Sequence, residues 1–378
     1  MTEPRRLKIG ITCYASVGGS GILASALGEA LAAHGHEIHF IGSERPFRLP
    51  AHAAGIYFHP VVINDYGLFR YPDYTLPLSV KMAEVTRDFG LDLLHVHYAV
   101  PHATAAILAR SMLPVGNQPR VVTTLHGTDT TLLGRDPGYG PAIRHALACS
   151  DAITTVSHFL ARETRQLLSV EQPPIDVIHN FFDPKAPRRS REEVRRELGV
   201  GDEAIIFHSS NLRPIKRIDL LLKTASLIRN QKGFKLLILA GESFAPFADL
   251  ARHFKIENRL IIREKVNDIE DYLQAADLGL YTSESESFCL SILEAMCFAC
   301  PSVATAVGGI PEVVEDGVSG MLAPSGDAAA LAAAIDSLLE NPSRRSAMGK
   351  AAAIRAKKYF STKVIVPKYE ALYRRVCA

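Results

Sequence analysis

Short apolar runs alternate with longer stretches of helical period along most of the chain. Lys8–Thr12, Glu37–Ile41, Leu93–Val96, Val121–Leu125 and Ala152–Val156 are too short for helices and rich in β-branched residues, which predicts buried strands. Strands alternating with helices in this way predict a parallel, doubly wound α/β sheet. The rhythm stops at Asp183–Arg196, where Pro184, Pro187 and a run of arginines interrupt it. It resumes with Ala204–His208, Lys235–Ala240, Arg259–Ile262, Leu278–Tyr281 and Ser302–Ala304, so a second domain of the same kind is expected. Ser190 followed by Glu193 forms a capping box and Gly199 a stop, predicting a short helix Arg191–Leu198 with its arginines on a solvated face. Phe360 to Tyr373 reads as a final amphipathic helix.

Composition narrows the class. The 378 residues are 47% hydrophobic and 22% charged, as in a folded globular protein of two to three domains. The formal net charge of +2 gives no global drive toward nucleic acid or an anionic membrane, so any anion must be bound locally. The six cysteines are scattered, and four lie in apolar or small-residue surroundings typical of free thiols in a reducing cytoplasm. Leu7 to Ile11 is too short for a signal-peptide core, and no window approaches the ~20 uncharged residues of a membrane span. A cytoplasmic protein without stable membrane association is expected.

Three segments carry candidate chemistry. Ser16 to Gly21 follows the first strand and opens a helix, where glycines admit an anion to the free amides of the helix start. Gly19 to Ala24 also fits a G-x-G-x-x-A dinucleotide fingerprint, with Glu44 as a possible ribose acid, but no hydride-acceptor site accompanies it. Ser283 to Met296 follows another strand. Here Ser287 is a plausible helix N-cap, Phe288 to Leu290 offer amides to phosphate oxygens, and Glu286 and Glu294 stand eight residues apart, ~12 Å if helical, too far to share a proton. Gly308 and Gly309 form a second glycine loop one strand-helix unit later.

Glu286 to Glu294, embedded in ESFCLSILEAM and followed by VGGIPEVVEDGVSG, resembles the E-x7-E signature of family-4 retaining glycosyltransferases, and the resemblance extends over essentially the whole chain. It implies the GT-B fold: two Rossmann-like doubly wound domains facing a central cleft, residues 1–183 for the acceptor and 184–360 for the nucleotide sugar, with a C-terminal helix, 361–378, returning to the first domain. By the same resemblance Glu286 would bind sugar hydroxyls of the donor and Glu294 the ribose, and the backbone at Phe288, Cys289 and Leu290 would hold the diphosphate. The family usually has glycine at the positions of Cys289 and Ala299. Its basic pair corresponds here to Lys216, with Asn211 in place of the usual arginine and Arg213 two residues later as the second cation. His126, in VVTTLHGTD, matches a histidine that contacts the donor sugar, and Gly18 and Gly19 complete the implied donor contacts.

The first-domain phrases LDLLHVHYAVPHA and VVTTLHGTD, with SNLRPIKR from the second, resemble the branch of the family that moves N-acetylglucosamine from UDP-N-acetylglucosamine to L-malate at the start of bacillithiol biosynthesis. Malate is a dianion, so its site needs donors and positive charge. Relatives that take inositol phosphate hold it with a tyrosine, a threonine and an arginine, matched here by Tyr98, Thr124 and Arg144. Ser20 and the amides of Gly18 to Gly21 are further candidates, and Asn64 and Tyr66 weaker ones. His95, His97 and His102 lack a completing carboxylate or cysteine at ligand spacing, so no metal site is expected. Apart from Asp129, the first-domain loops offer no unassigned carboxylate, which with the resemblance implies front-face attack, the leaving diphosphate accepting the acceptor's proton. The resemblance further implies a homodimer. A different small or lipid-linked acceptor, an NAD-dependent dehydrogenase and a binding-only protein are the competing readings, and the last two give the glutamate pair no task.

Overall fold

The computed structural model describes residues 5–14, 19–46, 49, 53–63, 73–230 and 233–378. The chain forms two compact units, one of residues 1–180 with 362–378 and one of residues 181–361. In the first unit, β1 (Lys8–Thr12), β2 (Glu37–Gly42), β3 (Ile56–Pro60), β4 (Leu93–His97), β5 (Arg120–Leu125), β6 (Ala152–Thr155) and β7 (Ile175–Val177) build a parallel sheet in the order β3-β2-β1-β4-β5-β6-β7. In the second, β8 (Ala204–Ser210), β9 (Phe234–Ala240), β10 (Leu260–Glu264), β11 (Leu278–Tyr281), β12 (Ser302–Thr305) and β13 (Gly320–Ala323) follow the order β10-β9-β8-β11-β12-β13. The doubly wound reading therefore holds in both halves. Three strands escaped it: β3 is half exposed at an edge, β7 has three residues, and β13 opens on glycine.

Each sheet reverses its winding once, between β1 and β4 and between β8 and β11. Crevices at such reversals, beyond the carboxyl ends of the strands, are where open α/β sheets bind ligands. The second unit's sheet is packed on both faces by Leu, Ile and Ala side chains, including Leu221, Leu236, Ile238, Leu280 and Ile335 on one face and Ile205, Phe207, Leu237 and Leu273 on the other. The first unit differs. Leu94 and Val96 of β4 enter an apolar core, but the alternate positions of this fully buried strand include His95 and His97.

His95 meets the C-terminal helix, Thr362–Cys377. Its buried residues Ile365, Val366, Tyr369, Leu372 and Tyr373 recur at helical spacing, and each such side chain contributes on the order of 1.5–3 kcal/mol on burial. The Tyr373 hydroxyl lies 2.7 Å from His95 Nδ1, and the rings of Tyr369 and His95 are 5.4 Å apart. Glu370 lies 3.2 Å from ring nitrogens of both His34 and His36, and Arg375 pairs with Asp176.

The helix Arg191–Glu197 starts at the expected capping box, with Ser190 and Glu193 exchanging both hydrogen bonds. Its arginines correct the solvated-face expectation. Arg191 donates to the carbonyls of Gln274 and Ala276 and to Asp277, and Arg195 to the carbonyls of Gly201 and Glu203. Two of these side chains therefore serve as structural ties for carbonyls that would otherwise need water.

Candidate active site

In the second unit the candidate residues leave β8 and β11, the two strands at the winding reversal. Lys216 Nζ donates to Glu286 Oε1 at 2.5 Å, and Ser283 Oγ donates to the same oxygen at 2.7 Å. Burial pulls the Lys216 ammonium down, but the Glu286 carboxylate more than offsets this, and Lys216 stays above its ordinary range. The two loops are stitched together. Thr282 Oγ1 donates to the carbonyls of Lys216 and Arg217, and the Glu284 amide donates to the Ile215 carbonyl. Arg213 is exposed, bears electrostatically on Lys216 and has no ion-pair partner among the described residues. The Asn211 side-chain oxygen is buried with no hydrogen-bond partner among the described residues.

The helix behind this loop begins later than expected. It spans Leu290–Cys297, so Ser287 is not its N-cap; Cys289 is, in the left-handed conformation with φ 70° and ψ 75°. Glu286 consequently sits in the loop and Glu294 in the helix, where it is 5% exposed. Left-handed backbone explains why glycine suits this position, and Ala299, φ 53°, repeats the case. Phe288 is buried against Phe360, and burial pushes the Cys289 thiol up. Leu290 opens the helix, where the leading amides have no carbonyl a turn earlier; the Ile292 amide turns back, donating to the Cys289 carbonyl at 3.2 Å.

Gly308 and Gly309 turn out to support Glu286. A Cβ on Gly308 would stand 1.9 Å from the Glu286 carbonyl oxygen, and one on Gly309 would stand 2.2 Å from that of Ser287. The Gly309 amide donates to the Glu286 carbonyl at 2.8 Å. Only glycine lets the two loops approach this closely.

In the first unit the candidates gather beyond β1, β4 and β5. Tyr98 donates through its hydroxyl to Ser20 Oγ at 2.9 Å, so two expected acceptor ligands stand together. The Tyr98 ring lies 5.1 Å from that of His126. His126 Nε2 is 2.8 Å from His97 Nδ1, and burial lowers His126 to about 3, leaving a neutral imidazole. Asp129 is wholly buried, one oxygen accepting from the Ala99 amide and the other from the His126 amide, and burial raises it to about 7. A carboxylate turned onto backbone in this way is a staple between two loops, not a free nucleophile.

Thr124 corrects an expectation. Its hydroxyl lies 2.7 Å from His95 Nε2 and 2.6 Å from Thr154 Oγ1, and the residue is fully buried, so it belongs to the layer under the C-terminal helix and offers nothing to an acceptor. Arg144 is exposed on the helix Tyr139–Ala148, which packs against the turn after Tyr98, and has no ion-pair partner among the described residues. Gly19 opens the helix Gly19–Ala33, while Gly18, Asn64 and Tyr66 lie outside the described residues. Sequence reasoning missed Ser283, His97 and His208. Ser283 was visible only as a serine near Glu286, and His208 Nδ1 donates to the Leu280 carbonyl while Nε2 accepts from Ser210.

Comparison with known proteins decides the family. The Glycosyltransferase Family 4 model matches residues 17–186, and the model described as Glycosyl transferases group 1 matches residues 190–355. A curated relative, the N-acetyl-alpha-D-glucosaminyl L-malate synthase of Bacillus anthracis, is 42% identical over 371 residues, covering 97% of each chain. The chain belongs to the family-4 glycosyltransferases. Another member, the D-inositol 3-phosphate glycosyltransferase of Mycobacterium marinum, is 32% identical over 348 residues, 85% of this chain and 73% of that one. Solved structures share the GT-B fold. Sucrose-phosphate synthase from Thermosynechococcus elongatus superposes with TM-score 0.83 at 21% identity, covering 98% of this chain and 99% of its own. Anabaena Alr3699/HepE in complex with UDP-glucose gives 0.80 at 20% identity, covering 97% and 99%. No helix among the described residues is long and apolar enough to cross a membrane.

Proposed function

We propose that this glycosyltransferase moves N-acetylglucosamine from UDP-N-acetylglucosamine to the hydroxyl of L-malate, giving the α-glycoside and UDP, the first step of bacillithiol biosynthesis. The observation that carries this reading is the 42% identity to a named L-malate synthase across 97% of both chains, against 32% for the inositol-phosphate enzyme.

Each unit then contributes its own groups. In the second, Glu286 takes sugar hydroxyls and Glu294 the ribose, while the backbone of Phe288, Cys289 and Leu290, with Asn211, receives the diphosphate. Lys216 and Arg213 carry the charge that develops on the leaving group, which lets the reaction run without a divalent metal. Donor binding exchanges partners: Lys216 passes from Glu286 to phosphate as Glu286 passes to the sugar. In the first unit His126, Gly18 and Gly19 meet the donor. Ser20, Tyr98, Arg144 and Asn64 meet malate, with Arg144 supplying a positive charge.

Both Asp129 oxygens already face backbone amides, which favours front-face attack over a covalent intermediate. The bond from the anomeric carbon to phosphate breaks through an oxocarbenium-like state as the malate oxygen bonds to that carbon. The malate proton passes to an oxygen of the departing diphosphate. The enzyme is read as cytoplasmic and homodimeric.

Release of UDP from UDP-N-acetylglucosamine, measured with a panel of small acids and polyols with and without a chelator, tests the assignment. L-malate should stimulate release well above solvent hydrolysis, with chelator having no effect. Equal rates with and without malate, or a stronger response to inositol 3-phosphate, would overturn the acceptor. Loss of activity with chelator would overturn the metal-free reading.

A further inference from the structure

Three buried histidines, His95, His97 and His102, and the partly covered His126 crowd the ends of β4 and β5, and their hydrogen bonds restrict where the protons sit. His102 Nδ1 faces the His97 carbonyl, which can only accept, so His102 carries its proton on Nδ1 and its Nε2 is a bare lone pair. That Nε2 is buried and has no partner among the described residues. His97 repeats the situation. Its Nδ1 is 2.8 Å from His126 Nε2, and its own Nε2 is buried without a partner among the described residues.

Two arrangements satisfy the contact between His97 and His126. If His126 Nε2 donates, His97 must carry its remaining proton on Nε2, which buries an N–H with no acceptor. If His97 Nδ1 donates, only an unpaired lone pair is buried, as at His102. Orphaned buried donors are the rarer and more costly defect, so the second arrangement is favoured. Burial keeps both rings neutral, lowering His126 to about 3 and His97 well below the usual histidine range, so each ring holds a single proton.

We infer that His97 is a positioning residue: its Nδ1–H locks His126 in the Nδ1–H tautomer, making His126 a hydrogen-bond donor to the bound substrate and not a base. This rests on reading His126 as a donor-sugar contact. His126 Nδ1 has no hydrogen-bond partner among the described residues, and the residue is only partly covered, so this N–H is available. The Asp129 carboxylate holds the His126 amide while His97 fixes the ring, so backbone and side chain are oriented separately.

The test is nitrogen-15 NMR of the histidine-labelled, ligand-free protein, with His126 signals assigned by their loss in His126→Asn. The expected result is the Nδ1–H tautomer of His126 in the wild type. In His97→Ala the signal should shift toward the Nε2–H form and kcat should fall roughly 10- to 100-fold, the scale on which outer partners of a functional histidine act. His97→Asn, whose amide nitrogen replaces Nδ1, should restore the wild-type tautomer and most of the lost turnover. An Nε2–H tautomer of His126 in the wild type, or an unchanged tautomer in His97→Ala, would overturn the inference. Because the spectrum is read without substrate, that failure is distinct from a failure to use UDP-N-acetylglucosamine or malate.

Discussion

Lys216 and Glu286 neutralise one another at 2.5 Å, and each is held by its own loop. Replacing Glu286 by alanine removes both the expected sugar ligand and the charge that keeps Lys216 high, leaving burial as the main influence on the ammonium. Transfer should fall by about 100-fold or more while the circular dichroism spectrum is unchanged. The Lys216 pKa, followed by NMR of labelled lysine, should drop below the ordinary lysine range. Retained turnover in this variant would remove Glu286 from the mechanism. At this scale the sequence was most informative where chemistry is unusual: a glutamate after a strand, a lysine after another, a histidine at a third. It was least informative where a common residue changes role by facing inward. Thr124 is an expected acceptor ligand because it matches the threonine of the inositol-phosphate relatives, but pleating turns it toward His95 and Thr154.

Four left-handed or crowded positions shape the chain between Glu286 and Gly309, two with glycine and two without. Ala299 is exposed and has φ 53°, so Ala299→Gly should stabilise the protein by about 0.5–1 kcal/mol, the left-handed penalty of alanine less the extra chain entropy of glycine. Gly309→Ala should act in the opposite direction. Its methyl would stand 2.2 Å from the Ser287 carbonyl, so the Glu286 loop must move; roughly 2 kcal/mol or more of stability should be lost, and turnover with it. Chemical denaturation of both variants checks the pair, and equal midpoints would contradict it. These features explain what was legible among the elements. Apolar β-branched runs announced the central strands because burial on both faces favours apolar side chains at successive positions. The start of Leu290–Cys297 differs from the expected one because the serine suited to capping is followed by a left-handed turn at Cys289, in a loop packed closely against Gly308 and Gly309.

Buried histidines distinguish the two units at the scale of the whole molecule. In the first, burial lowers His95 and His126 to about 3 and His102 to about 4, with His97 well below its usual range; in the second, His208 is lowered to about 4. A histidine lowered on folding binds fewer protons in the native state than in the unfolded chain between the two pKa values. Its contribution is therefore full above about 6.5 and is lost as pH falls toward 4, on the order of 1–2 kcal/mol for each at pH 5. Asp129, raised to about 7, has the opposite slope but is one group against several. The first unit should thus lose stability on acidification from pH 7 to 5 more steeply than the second, visible by calorimetry as a transition that moves with pH; a melting profile constant over that range would contradict this. The two-unit plan, the doubly wound sheets and the Lys216 and Glu286 loops were legible from the chain, while the histidine layer under the C-terminal helix was not, because its partners lie up to 278 residues apart. The most direct test of the account is proton NMR of the product formed from UDP-N-acetylglucosamine and L-malate. It should show one new anomeric signal with the small coupling of an α-glycoside, joined to the malate hydroxyl carbon and appearing in step with UDP. Free N-acetylglucosamine alone, or a β-linked product, would contradict it.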